Sequence, residues 1–291
     1  MTNPIWDDRP TLRRPVLVAG FRGWNDAANA ASDTLAWLST RLGARPFAHL
    51  DPQPFYDFQS TRPTVVLQRG VATQIVWPVN EFLAARAPGT PHDFVFVQGS
   101  EPNLRWREFC AAIVRVAETL NAELVVTLGA LLADTPHTRP LTITGTATDP
   151  DLISRLGLER SRYEGPTGIV GVLHDACRRA GLASASLWAP VPHYVASPPN
   201  PAAIRELVAR LTTLTGLHVD LTELDLAAQG WRDRVSAAVA GDPETQTYVH
   251  ELETRFDTVA DGRDADELPS GEDLAAELER YLRDRRDQRD D

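Results

Sequence analysis

The stretch Leu124-Val-Val-Thr-Leu-Gly-Ala130 is the most apolar strand-like run of the chain and is typical of a strand buried on both faces. Shorter runs of the same kind occupy residues 15–20, 94–97 and 184–189. Segments of helical length separate these runs, so strand and helix patterns alternate along the first 217 residues. This alternation predicts an α/β domain whose mainly parallel sheet is covered by helices on both faces.

Helix starts in this region are marked by capping residues or proline. Asn25-Asp26 is expected to open one helix, Pro102 a second and Asp149-Pro150 a short third. Residues 169–179 predict a further helix that stops before a glycine. Residues 64–77 predict a β-hairpin, whose antiparallel strands would make the sheet mixed.

The strand pattern stops near residue 220, and helical patterns follow it. Two apolar stripes at helical spacing are present, formed by Leu224, Trp231, Val235 and Val239 and then by Tyr248, Leu252 and Phe256. Residues 257–267 are charged and interrupted by glycine, which predicts a loose linker. Ser270 is expected to cap a last helix, whose apolar stripe is Leu274, Leu278, Tyr281 and Leu282. We therefore predict a core domain at residues 1–217 and an acidic helical appendage at residues 218–291.

The net charge of −11 is unevenly distributed along the chain. Residues 241–291 contain 17 acidic residues and 7 arginines, whereas the first 240 residues contain 23 acidic residues and 22 arginines. Neither part offers the basic face that nucleic-acid binding requires, so no nucleic-acid partner is predicted. All 29 basic residues are arginine, which excludes Schiff-base catalysis by lysine and a phosphate loop of the P-loop type.

Three features of the sequence bear on its location. No apolar run approaches the ~20 residues needed to span a bilayer. The polar, proline-broken start lacks the pattern of a signal peptide. Cys110 and Cys177 are far apart and match neither a disulfide framework nor a metal spacing. The expected location is therefore the cytoplasm, with no membrane partner and no metal site.

Polar side chains follow several of the predicted strands, at the points where those strands end. In open α/β sheets, ligands bind beyond the carboxyl ends of the strands, so these residues are candidates for one shared cleft. The candidates are Asp26, Glu101, His137, Arg139, Glu164, His193 and Tyr194. These side chains include residue types that can act as a general base, carboxylates, and an arginine suited to binding an anionic group.

Several of these candidates, and Trp24 beside them, also have a plain structural interpretation. Trp24 is expected to anchor a core or an interface rather than to serve as a platform for a substrate. The two histidines each follow a proline in a loop, where histidine often hydrogen-bonds backbone groups. Glu101 is expected to stabilise the N-terminus of a helix through its negative charge. Tyr163-Glu-Gly-Pro-Thr-Gly168 is expected to form either a constrained turn or an anion-binding entry to a helix. No catalytic motif accompanies these residues, so no catalytic residue and no cofactor are predicted.

Five segments, taken in order, resemble the actinobacterial members of the proteasome assembly chaperone family, in the branch named for the second chaperone. They are Gly20-Phe-Arg-Gly-Trp-Asn-Asp-Ala27, Glu101-Pro-Asn-Leu-Arg-Trp106, Pro136-His-Thr-Arg-Pro140, Tyr163-Glu-Gly-Pro-Thr-Gly-Ile169 and Pro192-His-Tyr194. The resemblance covers roughly residues 15–290, including a helical tail that contains Leu268-Pro-Ser-Gly271.

The resemblance implies a three-layer α/β/α fold, similar to nucleoside phosphorylases and related hydrolases, in a homo-oligomer that requires no cofactor. Eukaryotic and archaeal relatives act as chaperones of proteasome assembly, which makes proteasome subunits or another protein the expected partner. Archaeal relatives can dock through a C-terminal hydrophobic-Tyr-any-residue tail, whereas this chain ends Gln288-Arg-Asp-Asp291, so docking by such a tail is not expected.

The function that these observations favour is that of a non-enzymatic, homo-oligomeric interaction protein. The alternative is a binder or hydrolase of a small anionic, nucleoside-like compound, held in the cleft at the carboxyl ends of the strands.

Overall fold

The computed structural model describes residues 3–68, 71–149, 153, 159, 160 and 164–260. Its strands are β1 (Ile5–Trp6), β2 (Val16–Arg22), β3 (Arg45–Leu50), β4 (Thr64–Gln68), β5 (Val71–Val76), β6 (Asn80–Ala85), β7 (Phe94–Ser100), β8 (Leu124–Ala133), β9 (Thr144–Ala147), β10 (Glu159–Arg160) and β11 (Ser184–Pro192). Its helices are α1 (Ala30–Arg41), α2 (Trp106–Thr119), α3 (Ile169–Arg179), α4 (Pro201–Thr215), α5 (Thr222–Ala240) and α6 (Pro243–Ala260).

Nine of the described strands form one mixed sheet, in the order β1-β3-β6-β7-β2-β8-β11-β9-β10. The four central strands, β7, β2, β8 and β11, run parallel to one another. β6 and β3 continue the sheet with antiparallel pairs on one side, and β9 pairs antiparallel with β11 on the other. The predicted α/β fold with a mixed sheet is therefore confirmed, and β8, which contains the most apolar run, lies near its middle.

Helices cover both faces of this sheet, because successive side chains of a strand point to opposite faces. In β2, Val16 and Val18 belong to the hydrophobic core that includes residues of α1 and α4. Leu17 and Ala19, which alternate with them, belong to the core that includes residues of α2 and α3. The result is the three-layer arrangement that the family resemblance implies.

β4 and β5 form a two-stranded sheet of their own, separate from the nine-stranded sheet. They pair antiparallel, with Thr64 opposite Val76 and Gln68 opposite Val71. The predicted hairpin is confirmed, but the inference that its strands make the main sheet mixed is wrong. Prolines at positions 63 and 78 bracket the hairpin, and proline interrupts the ladder of a sheet. The antiparallel pairs of the main sheet come from β1, β3, β6 and β9 instead.

Strand directions place this hairpin at a particular edge of the main sheet. β3 is antiparallel to β6, and β6 is antiparallel to β7, so β3 runs in the direction of the central strands. β3 therefore ends, and β6 begins, at the edge where the carboxyl ends of the central strands lie. The connection between them, residues 51–79, contains the hairpin. We name this side of the molecule the carboxyl edge.

Helix α2 begins later than the sequence predicts. It starts at Trp106 rather than at Pro102, because the intervening backbone is held in another conformation. The N–H group of Leu104 donates to the carbonyl oxygen of Phe55, at 3.0 Å, and Arg105 has a left-handed backbone with φ of 55°. Helix α3, by contrast, occupies the predicted range.

Helices α5 and α6 are the first two helices of the predicted appendage, and they pack closely against the core. The buried residues of α5 join the same hydrophobic cluster as α1 and α4, and they are Leu224, Ala228, Trp231, Val235 and Val239. Helix α6 runs to Ala260, so the first residues of the predicted linker are helical. The rest of that linker, the helix predicted from Ser270 and most of the short helix after Asp149-Pro150 lie outside the described residues.

The longest helix in the described part, α5 with 19 residues, has one buried and one exposed side. No helix among the described residues is long and apolar enough to cross a membrane.

Candidate functional site

Six of the seven predicted site residues lie in two groups, which use their polar atoms differently. The first group accepts hydrogen bonds from backbone N–H groups near the start of a helix and consists of Asp26 and Glu101. The second group lies against α5 and α6 or contacts residues that do, and consists of His137, Arg139, His193 and Tyr194. Glu164 is exposed in the segment that precedes α3.

Asp26 holds the start of α1. Its Oδ1 accepts hydrogen bonds from the backbone N–H groups of Ala31, at 2.8 Å, and Ser32, at 3.1 Å, and its Oδ2 accepts from the Ser32 hydroxyl at 2.6 Å. Burial raises the pKa of Asp26 above its ordinary value, although these hydrogen bonds act in the opposite direction. The expectation that Asn25-Asp26 opens this helix is thus met by the aspartate side chain.

Glu101 joins two segments at the carboxyl edge. Its Oε2 accepts from the backbone N–H of Trp24 at 3.1 Å, and its Oε1 accepts from the N–H of Ile169, the first residue of α3, at 2.9 Å. A carboxylate in this position satisfies a free N–H group and interacts favourably with the helix dipole. Glu101 therefore does interact favourably with a helix N-terminus, as the sequence predicts, but the helix is α3 and not α2.

Gly23 allows this close approach of Glu101. Its φ is +146°, a conformation that side-chain-bearing residues rarely adopt. A Cβ atom at this position would lie 2.9 Å from both Cβ and Oε2 of Glu101. The conformation of the turn before Trp24 is thus determined by a glycine and a carboxylate together.

His137 is buried between the loop that follows β8 and helix α5, with 2% of its surface exposed. Its Nδ1 lies 2.8 Å from the hydroxyl oxygen of Tyr194, and its Nε2 lies 3.0 Å from the hydroxyl oxygen of Ser236 on α5. The backbone N–H of His137 donates to the same Tyr194 hydroxyl at 2.8 Å. Backbone partners for this ring were expected from the sequence, and that expectation is wrong because hydroxyl groups occupy both ring nitrogens.

Burial also changes the pKa values of His137 and Tyr194. It lowers the pKa of His137; the carboxylate of Glu253 opposes the shift and the cation of Arg232 adds to it. Burial raises the pKa of Tyr194 to about 12. Both side chains are therefore neutral at pH 7, as suits a buried hydrogen-bonded pair.

Arg139 connects the same loop to α6 through ion pairs. Its Nε and Nη2 donate to the carboxylate of Asp257 at 2.8 and 2.7 Å, and its Nη1 donates to Glu253 at 3.3 Å. The hydroxyl of Thr138 donates to Glu253 as well. A guanidinium that bonds two carboxylates of one helix connects that helix to the loop.

His193 belongs to a neighbouring set of contacts. Its Nδ1 lies 3.0 Å from Oδ1 of Asp134, and the hydroxyl of Tyr248 on α6 donates to the same oxygen at 3.0 Å. The ring of His193 also contacts the rings of Tyr194 and Tyr248 edge-on, with centroids 5.8 and 5.3 Å apart. We name residues 134–139, His193, Tyr194 and their partners on α5 and α6 the latch.

A separate cleft of about 520 Å³ opens at the carboxyl edge, beside Glu101. It is lined by Arg22, Gly23, Thr61, Ser100, Glu101, Pro102, Asn103 and Trp106. Glu101 is the one predicted site residue in this lining, and both its carboxylate oxygens already accept backbone hydrogen bonds. The lining residues contain no nucleophile paired with a base, which is the arrangement that acyl or phosphoryl chemistry requires.

Exposed apolar side chains are concentrated at the same edge. Of the thirteen large hydrophobic side chains that are exposed among the described residues, ten lie there: Trp24, Val65, Val66, Leu67, Ile75, Val76, Trp77, Leu104, Leu131 and Leu132. Trp24 is 62% exposed, so of its expected roles the core anchor is wrong and the interface anchor remains. We name these ten residues the open edge. Soluble proteins rarely expose a large apolar patch unless it meets another molecule.

Six of the ten belong to the hairpin, and sequence reasoning did not identify them as a surface. The signal was present, because residues 64–77 contain a single charged residue, Arg69, in a segment bracketed by prolines. A strand with one solvated face normally alternates apolar and polar residues, whereas Val65, Val66 and Leu67 are consecutive.

Comparisons with known proteins agree on one family. A model of the PAC2 family matches residues 20–239. A PAC2 family protein from Streptomyces avermitilis is 48% identical, with a TM-score of 0.75 over 81% of this chain and 99% of that chain. A proteasome-assembly chaperone homologue from Mycobacterium tuberculosis is 43% identical, with a TM-score of 0.75 over 80% of this chain and 99% of that chain.

More distant proteins share the fold alone. An archaeal proteasome activator from Pyrococcus furiosus is 18% identical, with a TM-score of 0.65 over 81% of this chain and 98% of that chain. A search of curated proteins found no match. The family match and the two closely similar structures together show that this chain belongs to the PAC2 family.

Proposed function

We propose that this chain is a non-enzymatic, homo-oligomeric interaction protein that supports the assembly of other proteins through its open edge, with proteasome subunits among its partners. The observation that carries the proposal is the concentration of ten exposed apolar side chains at one edge of the sheet. The choice of partner is supported by the Mycobacterium tuberculosis protein, which is described as a proteasome-assembly chaperone homologue.

The polar residues support a non-enzymatic role. Asp26 and His137, the two candidate bases with the clearest environment, are 6% and 2% exposed, and their polar atoms are hydrogen-bonded inside the protein. A general base has to reach the proton that it removes from a substrate. The alternative of a small-molecule cleft formed by all seven residues gains no support from these contacts.

Trp24 is the residue of the open edge best suited to anchor a partner. Its ring is exposed while its backbone N–H is fixed by Glu101, at a turn determined by Gly23. A rigid aromatic side chain loses little conformational entropy on binding, which is why tryptophan dominates many interfaces. Leu104, which is 51% exposed, follows Glu101 closely in the chain and extends the apolar surface beside it.

A cytoplasmic location is part of the proposal. Cys110 and Cys177 are free thiols, and each is 1% exposed. Burial raises the pKa of both thiols to about 12, which keeps them protonated and unreactive. Two unpaired cysteines suit a reducing compartment.

The experiment is a binding assay between the immobilised protein and purified proteasome subunits of the source organism. We expect wild-type protein to bind at least one subunit, and Trp24→Ala to weaken that binding by about tenfold or more. Leu226→Ala is the matched control, because Leu226 is 71% exposed but lies on α5, away from the open edge. Binding by neither wild type nor control, or equal binding by all three proteins, contradicts the proposal.

A further inference from the structure

A second cavity, of about 300 Å³, lies at the end of the sheet opposite to the carboxyl edge. β3 begins at this end and β6 finishes there, because β3 runs in the direction of the central strands and β6 runs against it. The lining comes from the segment at residues 8–12, from residues 45–47 at the start of β3, and from Ala84 and Arg86 at the end of β6. We name this space the arginine cavity.

Hydrogen bonds hold residues 8–12, which form one wall of the arginine cavity, at both ends of the segment. The backbone N–H of Asp8 donates to the carbonyl oxygen of Phe47 at 3.1 Å. Directly after the segment, the backbone N–H of Arg13 donates to Oδ2 of Asp93 at 2.8 Å, and Asp93 is 1% exposed. The fold itself therefore forms this wall, so a ligand does not have to order it on binding.

The floor of the arginine cavity is apolar. Phe47 is 2% exposed and belongs to the core that includes residues of α2 and α3, and Leu12 and Ala84 pack against the same core. Arg45 and Ala84 are opposite each other in the ladder, so their side chains lie on the same face of the sheet. Sites for small molecules combine such an apolar lining with a few charged groups.

Three exposed arginines line the cavity, and they are Arg9, Arg45 and Arg86. None of the three forms an ion pair with another residue that the structure describes. Arg13, which is close to Arg9 in sequence, instead pairs with Asp93 at 2.8 Å. The charges of the cavity are therefore available to an anion in a way that the charge of Arg13 is not.

The acidic side chain of the lining does not cancel these three charges. It belongs to Asp8, whose Oδ1 accepts a hydrogen bond from the backbone N–H of Arg9 at 2.7 Å. The guanidinium carbon of Arg9 lies 5.4 Å from the ring centre of Trp6, and this cation–π contact positions the guanidinium. The cavity is thus positive in a protein whose net charge is −11, and a cleft lined by one sign of charge concentrates ions of the opposite sign.

The number of cations favours a phosphate group over a carboxylate as the anion. A carboxylate carries one charge on two oxygen atoms, which a single guanidinium contacts as a bidentate pair. A phosphate monoester carries a charge of about −1.5 to −2 at pH 7 and has three acceptor oxygens, so it accepts hydrogen bonds from several guanidiniums together. A volume of about 300 Å³ is at the lower end of the range for small-molecule sites, which limits the ligand to a small compound.

We propose that the arginine cavity binds a small phosphorylated compound. Its phosphate group accepts hydrogen bonds from Arg9, Arg45 and Arg86, and the rest of the compound covers the floor at Leu12 and Phe47. This site goes beyond the proposed function, because its ligand is a small molecule and not a protein. It lies at the opposite end of the sheet from the open edge, so phosphate binding and binding of proteasome subunits are measured independently.

Isothermal titration calorimetry of the full chain at constant ionic strength tests this site, with inorganic phosphate, phenyl phosphate and acetate as the probes. We expect both phosphates to bind with saturation at one site per chain. Phenyl phosphate is expected to bind about tenfold more tightly than inorganic phosphate, because its ring covers the apolar floor. Acetate is expected to bind more weakly than either phosphate.

Substitutions of the arginines locate the site. Arg45→Gln and Arg86→Gln are each expected to weaken the binding of phenyl phosphate by about tenfold or more. Arg45→Lys keeps the charge but loses the planar fork, so it should bind more weakly than the wild type and more tightly than Arg45→Gln. Arg107→Gln is the control, because it removes an exposed arginine from the first turn of α2, at the carboxyl edge, and should leave binding unchanged.

A substitution in the floor separates the two parts of the ligand. Leu12→Asn is expected to weaken the binding of phenyl phosphate and to leave the binding of inorganic phosphate unchanged, since it alters the apolar surface and not the charges. The urea midpoint of each variant shows whether it folds. If Arg45→Gln does not fold, Arg86→Gln decides the result, because Arg86 lies outside the strands and is exposed.

Three results overturn the proposal. The first is a wild-type protein that shows no saturable binding of either phosphate. The second is an equal loss of binding in Arg86→Gln and Arg107→Gln, which would mean that phosphate responds to the overall charge and not to this cavity. The third is acetate that binds as tightly as inorganic phosphate, which would mean that the arginines do not select a phosphate group.

Discussion

The latch and the open edge lie at the same edge of one sheet, yet they expose opposite kinds of side chain. The latch contains histidine, arginine and tyrosine, and their polar atoms contact one another or helices α5 and α6. The open edge contains tryptophan, valine, leucine and isoleucine, and these side chains face solvent. Polar residues thus hold the molecule together here, while apolar residues remain free to meet other molecules.

The two surfaces differ because other parts of the same chain cover one of them and leave the other exposed. Once α5 packs on the core, the polar loop after β8 is buried, and each buried polar atom requires a partner. The hairpin has no helix over it in the described part of the chain, so its apolar side chains remain exposed. Residue type alone therefore does not reveal which of two neighbouring surfaces is buried.

The largest loss of stability is expected at the point where α5 packs against the core. Trp231→Ala removes a side chain that is 6% exposed and whose ring contacts His137. The cavity should reduce the free energy of unfolding by about 3–5 kcal/mol, measured by urea denaturation. Leu226→Ala, on the exposed side of the same helix, should change it by less than about 0.5 kcal/mol. Equal values for the two variants would show that α5 is dispensable for the core.

A smaller loss is expected at the carboxylate that fixes the Trp24 turn. Glu101→Gln removes the negative charge that both backbone N–H groups contact, which should cost about 1–3 kcal/mol of unfolding free energy. Glu118→Gln, at an exposed position of α2, is the control and should change stability by less than about 0.5 kcal/mol. If Glu101→Gln behaves like Glu118→Gln, this carboxylate does not determine the turn.

The pH dependence of stability should identify the neutral histidine of the latch. Because burial lowers the pKa of His137, the unfolded chain binds a proton near pH 6.5 that the folded chain rejects. The contribution of His137 to the free energy of unfolding should therefore fall as pH drops below about 6.5, until the pH reaches its folded-state pKa, with a slope of at most about 1.4 kcal/mol per pH unit. His137→Gln should flatten this part of the profile. Parallel profiles for wild type and variant would mean that His137 is charged or solvated in the folded state.

The smallest effect is expected at the surface of the latch. Arg139→Gln breaks ion pairs with Glu253 and Asp257 that are partly exposed, and partly exposed ion pairs contribute little to stability. We expect a slight decrease in the urea midpoint at low salt that disappears at high salt. Arg178→Gln, which breaks a pair within α3, is the control. A large loss that persists at high salt would show that this arginine has a role beyond its ion pairs.

Much of the fold could be predicted from the sequence, because buried strands and capped helices leave local patterns. The run from Leu124 and the helix at residues 169–179 are examples, and both are found where expected. The start of α2 could not be predicted, since it depends on hydrogen bonds to Phe55, a residue distant in sequence. The division between a core domain and an appendage at residue 217 stays a prediction.

Less of the candidate site than of the fold could be predicted from the sequence. The loops that follow the central strands were identified correctly, but the partners of their side chains were not. His137 finds Ser236 on α5, 99 residues later, and no spacing within one loop indicates such a contact. The exposure of the hairpin depended on the absence of a covering layer, which a local pattern does not record.

Amide hydrogen exchange, with and without bound proteasome subunits, tests most directly whether the open edge is the surface that meets other proteins. We predict slower exchange in the bound state at residues 22–24 and 101–106, with no change at residues 134–139 or in α6. Protection of the latch, with unchanged exchange at residues 22–24 and 101–106, would contradict the account.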